Sequence, residues 1–156
     1  KDWTNMRSKV FIPLVAFFLL FAMGAYFLVN PSYEKSIKAK YHYEMGEYED
    51  AYALANEAFS LDIYNRMAST IMAQSKTSLR YVDYVDTAKK YMKEINAIAA
   101  HESITQADKA KMKTMCAIMI NSYPKLAPSV ITDKDLVEEA ASYFKNFEQL
   151  LEKVNR

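Results

Sequence analysis

The sequence predicts an all-α protein, a single N-terminal transmembrane helix followed by three antiparallel helical hairpins, and three observations carry that expectation. Residues 10–29 form an apolar run of twenty with no charged or amide side chain. Beyond it stand one glycine, Gly46, and three prolines, too little turn chemistry for a many-stranded sheet. Past residue 30 the apolar side chains recur at three- and four-residue spacing, the period of an amphipathic helix.

The first element is the apolar run itself. Twenty helical residues rise about 30 Å, the thickness of a bilayer's hydrocarbon core. Thirteen of them are Leu, Ile, Phe or Val; at roughly −0.3 to −0.6 kcal/mol each, their insertion sums to about −4 to −8 kcal/mol. A secretory signal is the nearest alternative, because Arg7 and Lys9 make a basic flank and Ala22-Met23-Gly24 is small enough for cleavage. The apolar stretch then continues through Ala25-Tyr26-Phe27-Leu28-Val29, which favours an uncleaved anchor. Pro13 costs little if the helix starts just before it, and bends a helix that starts earlier. Trp3 and Tyr26 suit the two interfaces. Lys1, Arg7 and Lys9 on one side equal Lys35, Lys38 and Lys40 on the other, but Arg7 and Lys9 abut the run, which puts the N-terminus inside. The expected order is a short cytoplasmic tail at 1–9, the transmembrane helix at 10–29 and a helical domain at 30–156. In a bacterium this means the inner membrane, with the domain in the periplasm.

The helices of the domain follow in order. Asn30 caps and Pro31 opens a helix over 31–45. Gly46 and Glu47 turn the chain into a second helix over 48–60, with Tyr48, Ala51, Tyr52, Ala55, Ala58 and Phe59 at helical spacing. Asp62 or a neighbour opens a third over 63–79 with Ile63, Met67, Ile71 and Met72 on one side. A fourth over 84–99 buries Ala88, Tyr91, Met92, Ile95 and Ile98. Thr105 and Asp108 have the spacing of a capping box before a fifth helix over 106–122 with Ala107, Ala110, Met115, Ile118 and Met119 inward. Pro124 and Pro128 bracket a loop. Thr132 and Asp135 repeat the capping pattern before a last helix, whose stripe Leu136, Ala140, Phe144, Phe147, Leu151 and Val154 is the cleanest in the chain.

Gly46-Glu47-Tyr48-Glu49-Asp50-Ala51, continuing through Ala55, Ala58 and Phe59 to Leu61-Asp62, resembles the turn and second helix of a tetratricopeptide repeat. Gly permits the tight turn, the aromatic packs beneath it and the Ala residues let helices approach closely. Ile63 stands where that family often has Pro, Lys35 and Lys38 occupy positions that are usually apolar, and the later helices carry no clean copy. The resemblance implies a protein-binding groove lined by the first helix, which nominates Tyr33, Lys40, Tyr43 and Glu44 as partner contacts. The family's clamp for peptide carboxylates is absent.

Chemistry for catalysis is scarce. His42 and His101 stand in no metal-ligand pair, no glycine-rich loop is present to cradle phosphate, and Cys116 is alone. On an apolar helical face, Cys116 is expected to be a small core residue rather than a reactive thiol. The sequence therefore predicts no enzyme, no cofactor, no metal and no small-molecule substrate. Beyond residue 29 the 17 basic and 18 acidic residues balance, which argues against nucleic acid. The expected function is a membrane-anchored scaffold or adaptor that holds a protein partner next to the bilayer. The alternatives are a structural subunit of a large membrane complex, with the layout of anchored repeat proteins in flagellar motors or secretion machinery, and a periplasmic chaperone for exported chains.

Overall fold

A computed structural model describes the backbone of residues 2–155 and the side chains of residues 11–26 and 29–155. Six α-helices occupy the described chain, with no strand: α1 Asp2–Val29, α2 Pro31–Glu44, α3 Tyr48–Leu61, α4 Arg66–Ala99, α5 Gln106–Ser122 and α6 Lys134–Asn155. A short 3-10 turn, Tyr123–Lys125, follows α5. The chain divides into two compact units, Lys1–Met72 and Ala73–Arg156, with the division inside α4.

In the first unit, α1 begins at Asp2, earlier than the expected start at residue 10, so Pro13 lies inside the helix. It leaves the Lys9 carbonyl without its usual i+4 amide partner. The basic flank of Arg7 and Lys9, together with Lys1 and Trp3, falls outside the described side chains. Asn30 breaks the helix: its Oδ1 accepts the Ser32 amide at 3.0 Å and Pro31 takes the first helical position. The expected cap and proline start are both present. Gly46, at φ +80°, closes α2 onto α3 in a backbone conformation that an L side chain adopts only with strain. The two helices run antiparallel, as the Ser32 hydroxyl bond to the Ala58 carbonyl and the Lys35–Glu57 ion pair show. Ala39, Ala51 and Ala55 are wholly buried between them, and Ile71 from the start of α4 completes this small cluster.

The unit's other centre is polar. Asn65 is fully buried, and its Nδ2 donates to Ser32 Oγ and Ser36 Oγ, both at 2.8 Å. Its Oδ1 accepts the Ala68 amide at 3.1 Å, so Asn65, not Asp62, caps α4. Ser32 Oγ donates in turn to the Ala58 carbonyl and Ser36 Oγ to the Ser32 carbonyl, each at 2.8 Å. Both amide hydrogens of Asn65 and both hydroxyls are used. Ile63, expected on a helix, sits in the turn before α4 and is 63% exposed.

The expected third and fourth helices are one. Residues 79–84 hold neither Gly nor Pro, and Tyr81, Tyr84 and Val85 are buried, so nothing interrupts the α4 backbone. Three separate hairpins do not form. In the second unit the later part of α4 packs with α5 and α6 around Tyr81, Tyr84, Val85, Ile95, Met115, Met119 and Phe147. The α6 stripe does face inward: Ala140 and Phe147 are wholly buried, and Leu136, Leu151 and Val154 pack against the cluster. The α5 register differs from expectation. Met112, Met115, Cys116 and Met119 point inward, while Ala107 and Ala110 are exposed and Ile118 is 45% exposed. Thr105 and Asp108 form a reciprocal capping box. At α6 the capping side chain is Asp133, whose Oδ1 accepts the Asp135 amide at 2.9 Å, whereas Thr132 Oγ1 accepts the Ser129 amide in the loop before it.

Candidate functional site

The residues nominated on α2 separate once the helix is folded. At 100° per residue, Tyr33, Lys40 and Glu44 fall along one side with Ile37 between them, while Tyr43 turns toward α3. Tyr43 packs on the Ala39–Ala51–Ala55 cluster and meets Tyr48 edge-on, with ring centroids 5.4 Å apart. Part of its area is used internally. Lys40 and Glu44 are exposed and pair with each other at 3.7 Å, a contact worth about 0.3–0.5 kcal/mol on a helix surface. Ile37 is 51% exposed and continues the same side. The residues that carried the resemblance are packing residues: Ala51, Ala55 and Ala58 are fully buried, Tyr48 nearly so, and Phe59 is half-buried.

Three side chains that the sequence did not single out as a group meet at the Gly46 turn. His42 Nδ1 lies 2.5 Å from Glu47 Oε2, and one ligand atom each from His42, Glu47 and Asp50 fall within 4.8 Å of one another. Nothing in residue spacing announces this set, because the turn, not a helical repeat, brings His42 and Glu47 together. The contact accounts for itself as an ion pair or hydrogen bond across the turn, and all three groups are partly or fully exposed.

The second unit carries a shallow groove of about 560 Å³, floored by Tyr84, Met119 and Leu126 and edged by Arg80, Asp83 and Lys125. Tyr84 is buried, and its hydroxyl donates to the Met119 carbonyl at 3.4 Å. Burial pushes its pKa up to about 12, and Tyr81 is raised by the same cause. The folded chain therefore keeps a proton that an unfolded tyrosine releases near pH 10. The contribution of Tyr84 is complete below pH 10 and lost as the pH climbs toward 12. We expect a fall in unfolding midpoint across that interval, and a shallower fall in Tyr84→Phe, measured by thermal melts at stepped pH. Cys116 is wholly buried and its thiol is likewise pushed up by burial, the setting of an unreactive core residue.

The most distinctive surface belongs to α1. Phe11, Ile12, Leu14, Phe17, Phe18, Leu19, Leu20, Phe21 and Met23 are each more than half exposed, on every side of the helix. Among the described residues no single helix is long and apolar enough to cross a membrane. Phe11–Tyr26 and Pro31–Glu44 satisfy that test as a pair, bent by 72°. The described part of the apolar run is Phe11–Tyr26 and Val29. With fold and surfaces in view, the chain defines an all-helical protein bearing an uncovered apolar helix. It matches no protein-family profile, no curated protein and no solved structure.

Proposed function

We propose that this protein is a membrane-anchored adaptor: residues 10–29 cross the bilayer, and the tetratricopeptide-like helices after Asn30 hold a protein partner close to its surface. The carrying observation is the all-round exposure of the large apolar side chains of α1. A helix apolar on every face is at home in a protein core or in lipid, and here no core covers it. Tethering confines the search for a partner to a surface and raises effective concentration without any new contact. The outer side of α2, with Tyr33, Ile37, Lys40 and Glu44, is the partner-facing surface in this reading.

Two experiments test the two halves. Membranes containing the chain are washed at alkaline pH; the wild type stays with lipid, while L19R/L20R passes to the supernatant. Each Arg at mid-span costs about 2.5–3.5 kcal/mol, so the pair removes most of the favourable sum. Extraction of the wild type by the same wash overturns the anchor. For the partner, a photo-crosslinking amino acid placed at Lys40 of the full chain in native membranes yields a discrete adduct that the same group at Ala53, exposed on α3, does not. Absence of any adduct at Lys40 overturns the adaptor half and leaves the anchor standing.

A further inference from the structure

We propose that the α3–α4 turn is a second membrane contact, in which Leu61, Ile63 and Tyr64 seat in the interfacial layer of the bilayer beside the end of α1. This rests on the reading of α1 as the anchor. Leu61, the last residue of α3, and Ile63 and Tyr64 in the four-residue connection are 58%, 63% and 84% exposed, so three large apolar side chains face outward within four positions.

The fold puts this turn at the foot of the anchor. Ser32 is only two residues past the break at Asn30, and it is tied to both flanks of the turn. Its Oγ donates to the Ala58 carbonyl on the α3 side and accepts from Asn65 Nδ2 on the α4 side, each at 2.8 Å. The angle of 72° between α1 and α2 gives the same result. With α1 within about 20° of the membrane normal, α2 lies near the membrane plane, and antiparallel α3 brings its C-terminal end back to the point where α1 leaves the lipid.

Chemistry then selects the bilayer as the occupant. Tyr26 and Val29 near the end of α1 are exposed, and the turn is tied to Ser32, two residues beyond the break at Asn30. Tyr64 and Tyr26 are the residue type that gathers at headgroup depth, with an apolar ring and a polar tip. Arg66, two residues on and exposed, is a cation suited to lipid phosphate. The turn's backbone is also prepared for a drier setting: the Tyr64 amide bonds Asp62 Oδ1 at 2.9 Å and the Asn65 amide bonds the Asp62 carbonyl at 3.1 Å. Amides satisfied within the turn lose little on leaving water.

The test uses the full chain carrying Trp3→Phe, with one new tryptophan at a time, in vesicles of dibrominated phosphatidylcholine with a minor fraction of phosphatidylglycerol. The positions are Phe18→Trp in α1, Tyr64→Trp and Ile63→Trp in the turn, and Ala53→Trp on exposed α3. The expected result is strong quenching at 18, and quenching at 63 and 64 several-fold greater than at 53, with blue-shifted emission. Quenching at 18 with 63 and 64 no different from 53 overturns this inference alone and leaves the turn to solvent or a protein partner. No quenching at 18 overturns the anchor reading and the inference with it.

Discussion

Phe147→Ala is expected to destabilise the second unit by about 3–5 kcal/mol, the loss of a wholly buried aromatic plus the cavity it leaves. Phe147 lies inside the cluster shared by α4, α5 and α6. For a unit of this size each kcal/mol lowers the melting temperature by about 4–8 °C, so the transition should fall by more than ~10 °C in calorimetry or circular dichroism. Phe144→Ala is the internal control. Phe144 is half-buried and stacks on Tyr123 with centroids 4.5 Å apart, so its removal should cost clearly less. Equal effects at 144 and 147 would refute the placement of the core on the Ala140–Phe147 side of α6.

Asn65→Ala should be nearly as damaging in the first unit, by about 2–4 kcal/mol. The estimate combines a lost cap, about 1 kcal/mol, with two buried hydroxyls deprived of their donor at roughly 1 kcal/mol each. Asn65→Asp separates these contributions. Aspartate caps as well as asparagine. It cannot donate to Ser32 and Ser36, and it sets a carboxylate oxygen against two hydroxyl oxygens already committed to the Ala58 and Ser32 carbonyls. Amide hydrogen exchange in α2 and α3 should therefore accelerate in Asn65→Asp almost as much as in Asn65→Ala. If Asn65→Asp exchanges like the wild type, Asn65 is a cap and nothing more.

Features that depend on neighbouring residues were legible in the sequence. Asn30-Pro31, the Thr105–Asp108 box and the α6 stripe each consist of groups that act within one or two turns of helix. The errors arose where a distant partner decides. Ser32 and Ser36 are buried because Asn65, some thirty residues on, supplies the amide hydrogens that make their burial tolerable, and nothing local in the sequence signals it. Ile63 and Ile118 read as inward because they are apolar, yet the cap at Asn65 and the run Met112, Met115, Cys116 and Met119 set the registers that turn them out. The expected third and fourth helices, over 63–79 and 84–99, are one helix in α4, because no helix-breaking residue lies between them. Tyr43 stood equally open to groove contact and to packing in the sequence, because a tyrosine serves an interface or a core equally well; in the fold it packs edge-on against Tyr48 across the Gly46 turn.

The ties around Asn65 also set a schedule for folding. The described hydrogen bonds that hold the first unit together span at most 33 residues, between Ser32 and Asn65, so its loops close cheaply and its folding belongs in the microsecond-to-millisecond range of local helical topologies. A ribosome adding about 5–20 residues per second needs several seconds to complete residues 73–156. The first unit can thus be finished while the second is still being made, with the outer side of α2 already exposed to solvent.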